Sequence, residues 1–108
     1  MKKILVGLIL VCGVAQAEYT NGNALLDRMS SSDAVDKMYA LGYIVGVADT
    51  HENVNLCVQN TVTKGQLYDV VHQFLRSKPQ LRDLPADVLV LLALGEHWRC
   101  PQKGKKKS

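Results

Sequence analysis

"TKGQLYDVVHQFLRS", residues 63–77, decides the fold class. Leu67, Val70, Val71, Phe74 and Leu75 recur at i, i+3, i+4, i+7 and i+8, while Gln66, Asp69, Gln73 and Arg76 fall on the other side. That spacing predicts a helix with one dry face. Thr63 is placed to cap it, and Gln66 three residues on completes a capping box. Lys78 precedes Pro79, and the residue before a proline is disfavoured in helical conformation, so the helix stops there. An amphipathic helix of this length is held mainly by whatever covers its apolar face, so the flanking segments must supply partners.

On the C-terminal side, "DLPADVLVLLALGEHWRC" (residues 83–100) reads as a second helix. Pro85 suits its first turn, where a missing N–H costs nothing. Val88 to Leu94 is apolar all round, which predicts a central helix buried on most sides. Seven apolar residues are far short of the roughly 20 needed to cross a bilayer. On the N-terminal side, Leu25, Leu26 and Met29 predict a short helix after "TNGN". "SSSD" at 30–33 then signals a new start, with Ser32 as the cap. The helix that follows runs from Asp33 to His51, with an apolar stripe at Val35, Met38, Tyr39, Gly42, Val45 and Gly46. "HENVNLCVQN" (51–60) has no period and reads as a loop. No strand alternation, internal repeat or linker is visible. The expectation is a single all-α domain, a small compact bundle of four to five short helices with one disulfide.

The N-terminus sets the compartment. Lys2 and Lys3 precede an apolar run from Ile4 to Val14, and Ala15-Gln16-Ala17 is a small-x-small site. This is the pattern of a signal peptide cut after Ala17. A lipid anchor on Cys12 is rejected, because Val11 stands where a small residue is required. Export to the periplasm follows, with no membrane span in the mature form. The domain organisation is then 1–17 signal peptide, 18–101 helical domain and 102–108 basic disordered tail. Removal of Lys2 and Lys3 leaves 11 basic and 10 acidic residues, and residues 18–100 hold 7 basic and 10 acidic. The folded part is mildly acidic, which argues against a nucleic-acid-binding face.

Cys12 leaves with the signal peptide, and Cys57 and Cys100 remain. An even pair in an oxidising compartment predicts a Cys57–Cys100 disulfide. It closes a loop of 43 residues, worth about 4 kcal/mol in the chain-entropy model. For a domain this small that is a large share of total stability.

Gly42 and Gly46 sit one turn apart on the same helix face, and each costs about 1 kcal/mol relative to alanine. Two readings compensate: close packing against the last helix, or a groove for a second copy of the chain. His51, His97, Cys57 and Cys100 are zinc-type ligands, but their spacing matches no zinc arrangement and the disulfide takes the thiols. No metal or cofactor is expected. His72 falls on the solvated side of its helix. There is no nucleophile elbow, HExxH or phosphate loop, and a paired Cys57 offers no thiolate. The chain does not read as an enzyme.

Several segments together resemble a known family. "NALLDRM", "ALGYIVGVADT", Cys57, "TVTKGQLYDVVHQFLRSKPQLRDLPADVLVLLAL" and the closing Cys100 are similar in order and spacing to the Tai-type immunity proteins of type VI secretion, also called Rap immunity proteins. The resemblance runs from Asn21 to Cys100. Met29 and Ala40 stand where that family usually has a first disulfide, and Cys57 and Cys100 match its second. The resemblance implies a compact helical periplasmic domain, often a homodimer. Its partner would be a protein toxin, a peptidoglycan-cleaving amidase, whose cleft is blocked by a loop without catalysis. The polarity of the stretch "THENVN" makes it the candidate contact loop, with Thr50, His51, Glu52, Asn53 and Asn55 as the candidate contact residues. A small periplasmic acid-stress chaperone, also helical, exported and closed by one disulfide, is the alternative, with a generic envelope module third.

Overall fold

In a computed structural model, residues 20–102 are described. The expected signal peptide and the lysines of the tail lie outside them. Four α-helices pack together: α1 (Gly22–Ser30), α2 (Ala34–Thr50), α3 (Lys64–Ser77) and α4 (Ala86–Trp98). A single 3-10 turn, Pro79–Leu81, joins α3 to α4. The domain is all-α, as the periodicity predicts.

Local chemistry sets each start. Asn21 accepts from Ala24 N–H at 2.9 Å, and α1 begins one residue on. Asp33, not Ser32, caps α2, accepting from Val35 N–H at 2.9 Å. Ser31 accepts from Asp33 N–H at 3.0 Å and so orients the cap. At α3 the capping box is complete: Gln66 N–H donates to Thr63 Oγ1 at 3.1 Å and Thr63 N–H to Gln66 Oε1 at 2.7 Å. The otherwise orphaned Thr63 N–H is satisfied, and Gln66 N–H, which also reaches Thr63 O at 3.1 Å, gains a second acceptor. Pro85 sits just before α4 and makes no side-chain cap.

The core draws on every helix. Leu25 and Met29 of α1, Ile44 of α2, Leu67, Val71, Phe74 and Leu75 of α3, and Leu89, Val90 and Leu94 of α4 are buried. No polar or charged residue is buried among the described residues. Small residues govern the close approaches: Ala40 and Ala48 on α2 and Ala86 and Ala93 on α4 are also buried. Tyr68 of α3 donates its hydroxyl to Met29 O at 3.1 Å and fixes the end of α1.

Two expectations are corrected here. The stripe Val35, Met38, Tyr39, Gly42 and Gly46 does not face the core. Val35 and Met38 are each 71% exposed and Tyr39 47%, while Ala40, Ile44 and Ala48 on the opposite side are buried. An ideal Cβ at Gly42 or Gly46 would meet no atom within 4 Å. The glycines therefore do not admit α4, and that packing reading falls. The reason is compositional: α2 is apolar on both faces, so helical spacing alone cannot choose between them. Likewise α4 is not covered all round: Leu89, Val90, Ala93 and Leu94 are fully buried, but Val88 and Leu92 leave one side 40% and 43% exposed.

One glycine is sterically required. Gly22 N–H donates to Leu84 O at 3.1 Å and Asn23 N–H to Arg82 O at 2.9 Å, so the start of α1 lies against the connection before α4. A Cβ at Gly22 would clash with Leu89 Cδ1 and sit 2.9 Å from the Arg82 carbonyl oxygen, a backbone atom that cannot swing away. Gly22→Ala is expected to destabilise the domain by about 1–3 kcal/mol through overpacking. Urea unfolding checks this, and an unchanged midpoint would contradict it.

Candidate functional site: a pinned loop and the groove beside it

The segment after α2 folds into a tight, self-bonded turn. His51 ends the helix, and its single carbonyl accepts from Val54, Asn55 and Leu56 N–H at 3.0, 3.1 and 3.1 Å. Asn53 N–H returns to Leu56 O at 2.7 Å. Closing so short a loop puts Asn53 at φ 66°, left-handed backbone that asparagine tolerates better than most residues. His51 Nδ1 lies 2.9 Å from Val47 O. A carbonyl can only accept, so Nδ1 carries the proton.

The base of the turn is pinned twice. Leu56 is 1% exposed and plugs into the core. Cys57 is bonded to Cys100, with Cα atoms 4.8 Å apart, and ties the turn to the end of α4. Backbone bonds flank the cross-link: Cys57 N–H donates to Trp98 O at 2.7 Å, and Cys100 N–H to Asn55 O at 3.1 Å. The predicted disulfide is present.

The tip faces solvent. Asn53, Val54 and Asn55 are exposed, and Val54 is 70% exposed. Of the other predicted contact residues, Thr50 turns back on its own helix, donating Oγ1 to Gly46 O at 2.8 Å. His51 and Glu52 are half-buried at the hinge. Of the sequence-predicted residues, Asn53 and Asn55 are exposed at the tip, and between them stands the apolar Val54, which polarity did not single out.

A groove of about 910 Å³ opens beside the tip. Val88, Leu91, Leu92 and Gly95 of α4 form one wall, and Asn53–Cys57 the other. Arg99 is the one charged residue on its lining. Polarity-based reasoning missed this surface. Its signal was the all-round apolar character of α4, taken as burial but belonging in half to an uncovered face.

Among the described residues, no group of three or more His, Cys, Asp or Glu is placed to hold a metal ion. His97 stacks at a tilt on Trp98, with ring centroids 5.5 Å apart. No described helix is long and apolar enough to cross a membrane. The arrangement offers a fixed protrusion next to a recess of mixed apolar and polar lining, which suits binding to another macromolecule.

Replacing Cys57 and Cys100 together by serine should lower stability by about 2–5 kcal/mol and loosen the turn first. Thermal melts and the Val54 and Asn55 amide signals report the two effects separately. An unchanged melting temperature would contradict the first.

Comparison with known families places this geometry in context. The model of the Rap1a immunity proteins matches residues 13–100. No curated protein matches the chain.

Proposed function

The chain belongs to the Rap1a immunity proteins, and from that premise we propose that it is a periplasmic inhibitor, exported by residues 1–17. It binds and blocks a peptidoglycan-cleaving amidase delivered by type VI secretion, and it acts without catalysis. The observation that carries the reading is the pinned turn His51–Leu56, with Val54 raised at its tip and the Val88/Leu92 groove alongside.

An occluding inhibitor must insert a surface without losing much freedom on binding. Each mobile side chain or loop that is ordered in a complex costs about 0.5–1.5 kcal/mol per immobilised side chain. The turn is ordered beforehand by its three-fold shared carbonyl, its buried Leu56 and its cross-link. Val54 then supplies an apolar anchor, and the Asn53 and Asn55 amides supply donors and acceptors around it. Binding energy concentrates in a few such positions. The mildly acidic domain speeds encounter with a basic partner, an effect that salt weakens.

The outer face of α2 suits a homodimer. Val35, Tyr39, Gly42 and Gly46 form an uncharged stripe opposite the core-facing Ala40, Ile44 and Ala48. The bare glycines let a second helix approach closely. Arg28 braces the stripe, lying 4.0 Å from the Tyr39 ring centroid and 3.2 Å from Asp36.

An amidase effector from the same genome, directed to the periplasm, should lyse cells that lack this protein and spare cells that make it. The chain without residues 1–17 should fail to protect. Val54→Asp should bind the effector at least about tenfold more weakly with an unchanged circular dichroism spectrum. If no effector is neutralised and the purified protein instead prevents client aggregation at low pH, the chaperone reading replaces this one.

For the dimer, sedimentation of Gly46→Leu should show a folded monomer beside a dimeric wild type. A monomeric wild type at tens of micromolar would remove the dimer from the account.

A further inference from the structure

The other end of α2 carries a charge distribution that the toxin-binding reading does not use. About 20 Å of helix separates Lys37 from His51. There a concavity of about 540 Å³ opens between α1, the start of α2, the outer side of α3 and Arg82. Ser30, Lys37, His72, Arg76 and Arg82 line it over Leu26 and Met29. Residues 18–100 hold 7 basic and 10 acidic side chains. Three of the basic ones meet here, and none of the acidic ones lines the concavity. In a mildly acidic domain, chance favours the reverse.

Among the described residues, none of these cations is in an ion pair. The one ion pair among the described residues is Arg28–Asp36. Arg82 is held in place by backbone, donating Nε to Leu75 O at 2.8 Å. His72 is not the freely exposed residue that periodicity suggests. It is half-buried, edge-on to Tyr68 with ring centroids 6.2 Å apart. Burial, then Arg76, and Lys37 more weakly, hold its pKa below the usual histidine value, and Asp69 opposes them.

The basic concavity does not end there. Met29, Lys37 and His72 also line a second one, of about 370 Å³, whose remaining walls are Met38, Leu41, Gly65 and Tyr68. A cationic hollow thus adjoins an apolar one across Met29, Lys37 and His72, with Met38 beside them standing 71% exposed. A free oxyanion would use only the first half, and an uncharged apolar ligand only the second.

We propose that this surface binds an anionic phospholipid, with the phosphate among Lys37, Arg76 and Arg82 and an acyl chain along Met29, Met38, Leu41 and Tyr68. The Arg76 guanidinium can match phosphate oxygens in paired geometry, while Arg82, whose Nε and Nη2 already donate to Leu75 O and Arg76 O, and Lys37 add charge. Ser30 and protonated His72 supply further donors. Because the bound phosphate favours the charged imidazole, affinity rises as pH falls through the depressed His72 pKa. The site is separate from the turn and groove, so its fate does not decide the immunity reading.

The test is an NMR titration of the oxidised protein recovered from the periplasm. The probes are dihexanoyl phosphatidylglycerol, dihexanoyl phosphatidylcholine and inorganic phosphate, each at pH 5.5 and 7.5. Phosphatidylglycerol should shift the Lys37, Met38, Tyr68 and His72 amides and bind about tenfold tighter than either other probe, more tightly at the lower pH. Lys37→Glu with Arg76→Glu should abolish binding, while Met38→Asp should reduce phosphatidylglycerol to the level of phosphate. Preserved signal dispersion in each variant shows that it is folded. Phosphatidylcholine binding as tightly as phosphatidylglycerol, phosphate binding as tightly as the lipid, or shifts confined to other residues would each overturn the proposal.

Discussion

The Cys57–Cys100 bond is the constraint on which the rest of the molecule depends. It joins the segment after α2 to the end of α4, across 43 residues of sequence. Four helices with a core of fifteen buried side chains make a thin domain, of the size that commonly needs a covalent or metal staple. The bond does more than restrict the unfolded chain. Leu56, next to it, enters the core, and the backbone bonds Cys57–Trp98 and Cys100–Asn55 flank it. A turn that would otherwise be a mobile surface loop is held from below by covalent, apolar and hydrogen-bonded contacts at once. Its tip is left free to touch something else.

Features set by local or covalent chemistry were legible in the sequence. The Thr63–Gln66 capping box, the stop before Pro79 and the Cys57–Cys100 pairing depend on a few neighbouring atoms or on the redox compartment, and all are present. What failed were judgements about which face is inside. Helical periodicity finds a dry stripe only when the other side is wet. In α2 both sides are apolar, and the small residues Ala40 and Ala48 won the interior because they let the helices approach. In α4 the same ambiguity hid the Val88/Leu92 groove. His72 fell on the solvated side by spacing; Tyr68 and Arg76 stand one turn either side of it on α3, but Met29 and Lys37, from α1 and α2, join it only in the tertiary structure.

These failures fall where a binding protein would put its working surfaces. Single exposed apolar side chains are ordinary, but apolar side chains gathered in one patch commonly mark a contact surface. Val54, Val88 and Leu92 gather at one end, and Val35 and Tyr39 along the back of α2. Inhibition by binding needs just such surfaces, held still, and no reacting group. Membership of the Rap1a immunity proteins fits a role in toxin immunity.

The central claim is that the turn is preorganised rather than ordered by its partner. Native-state amide hydrogen exchange on the free, oxidised protein measures this directly. The Leu56, Cys57 and Cys100 amides should exchange nearly as slowly as those of buried residues in α3 and α4, because opening them requires sub-global unfolding. Reduction of the disulfide should speed the turn amides while the α3 amides stay protected longer. Turn amides that exchange in the oxidised protein at the rate of an unstructured peptide would contradict the account.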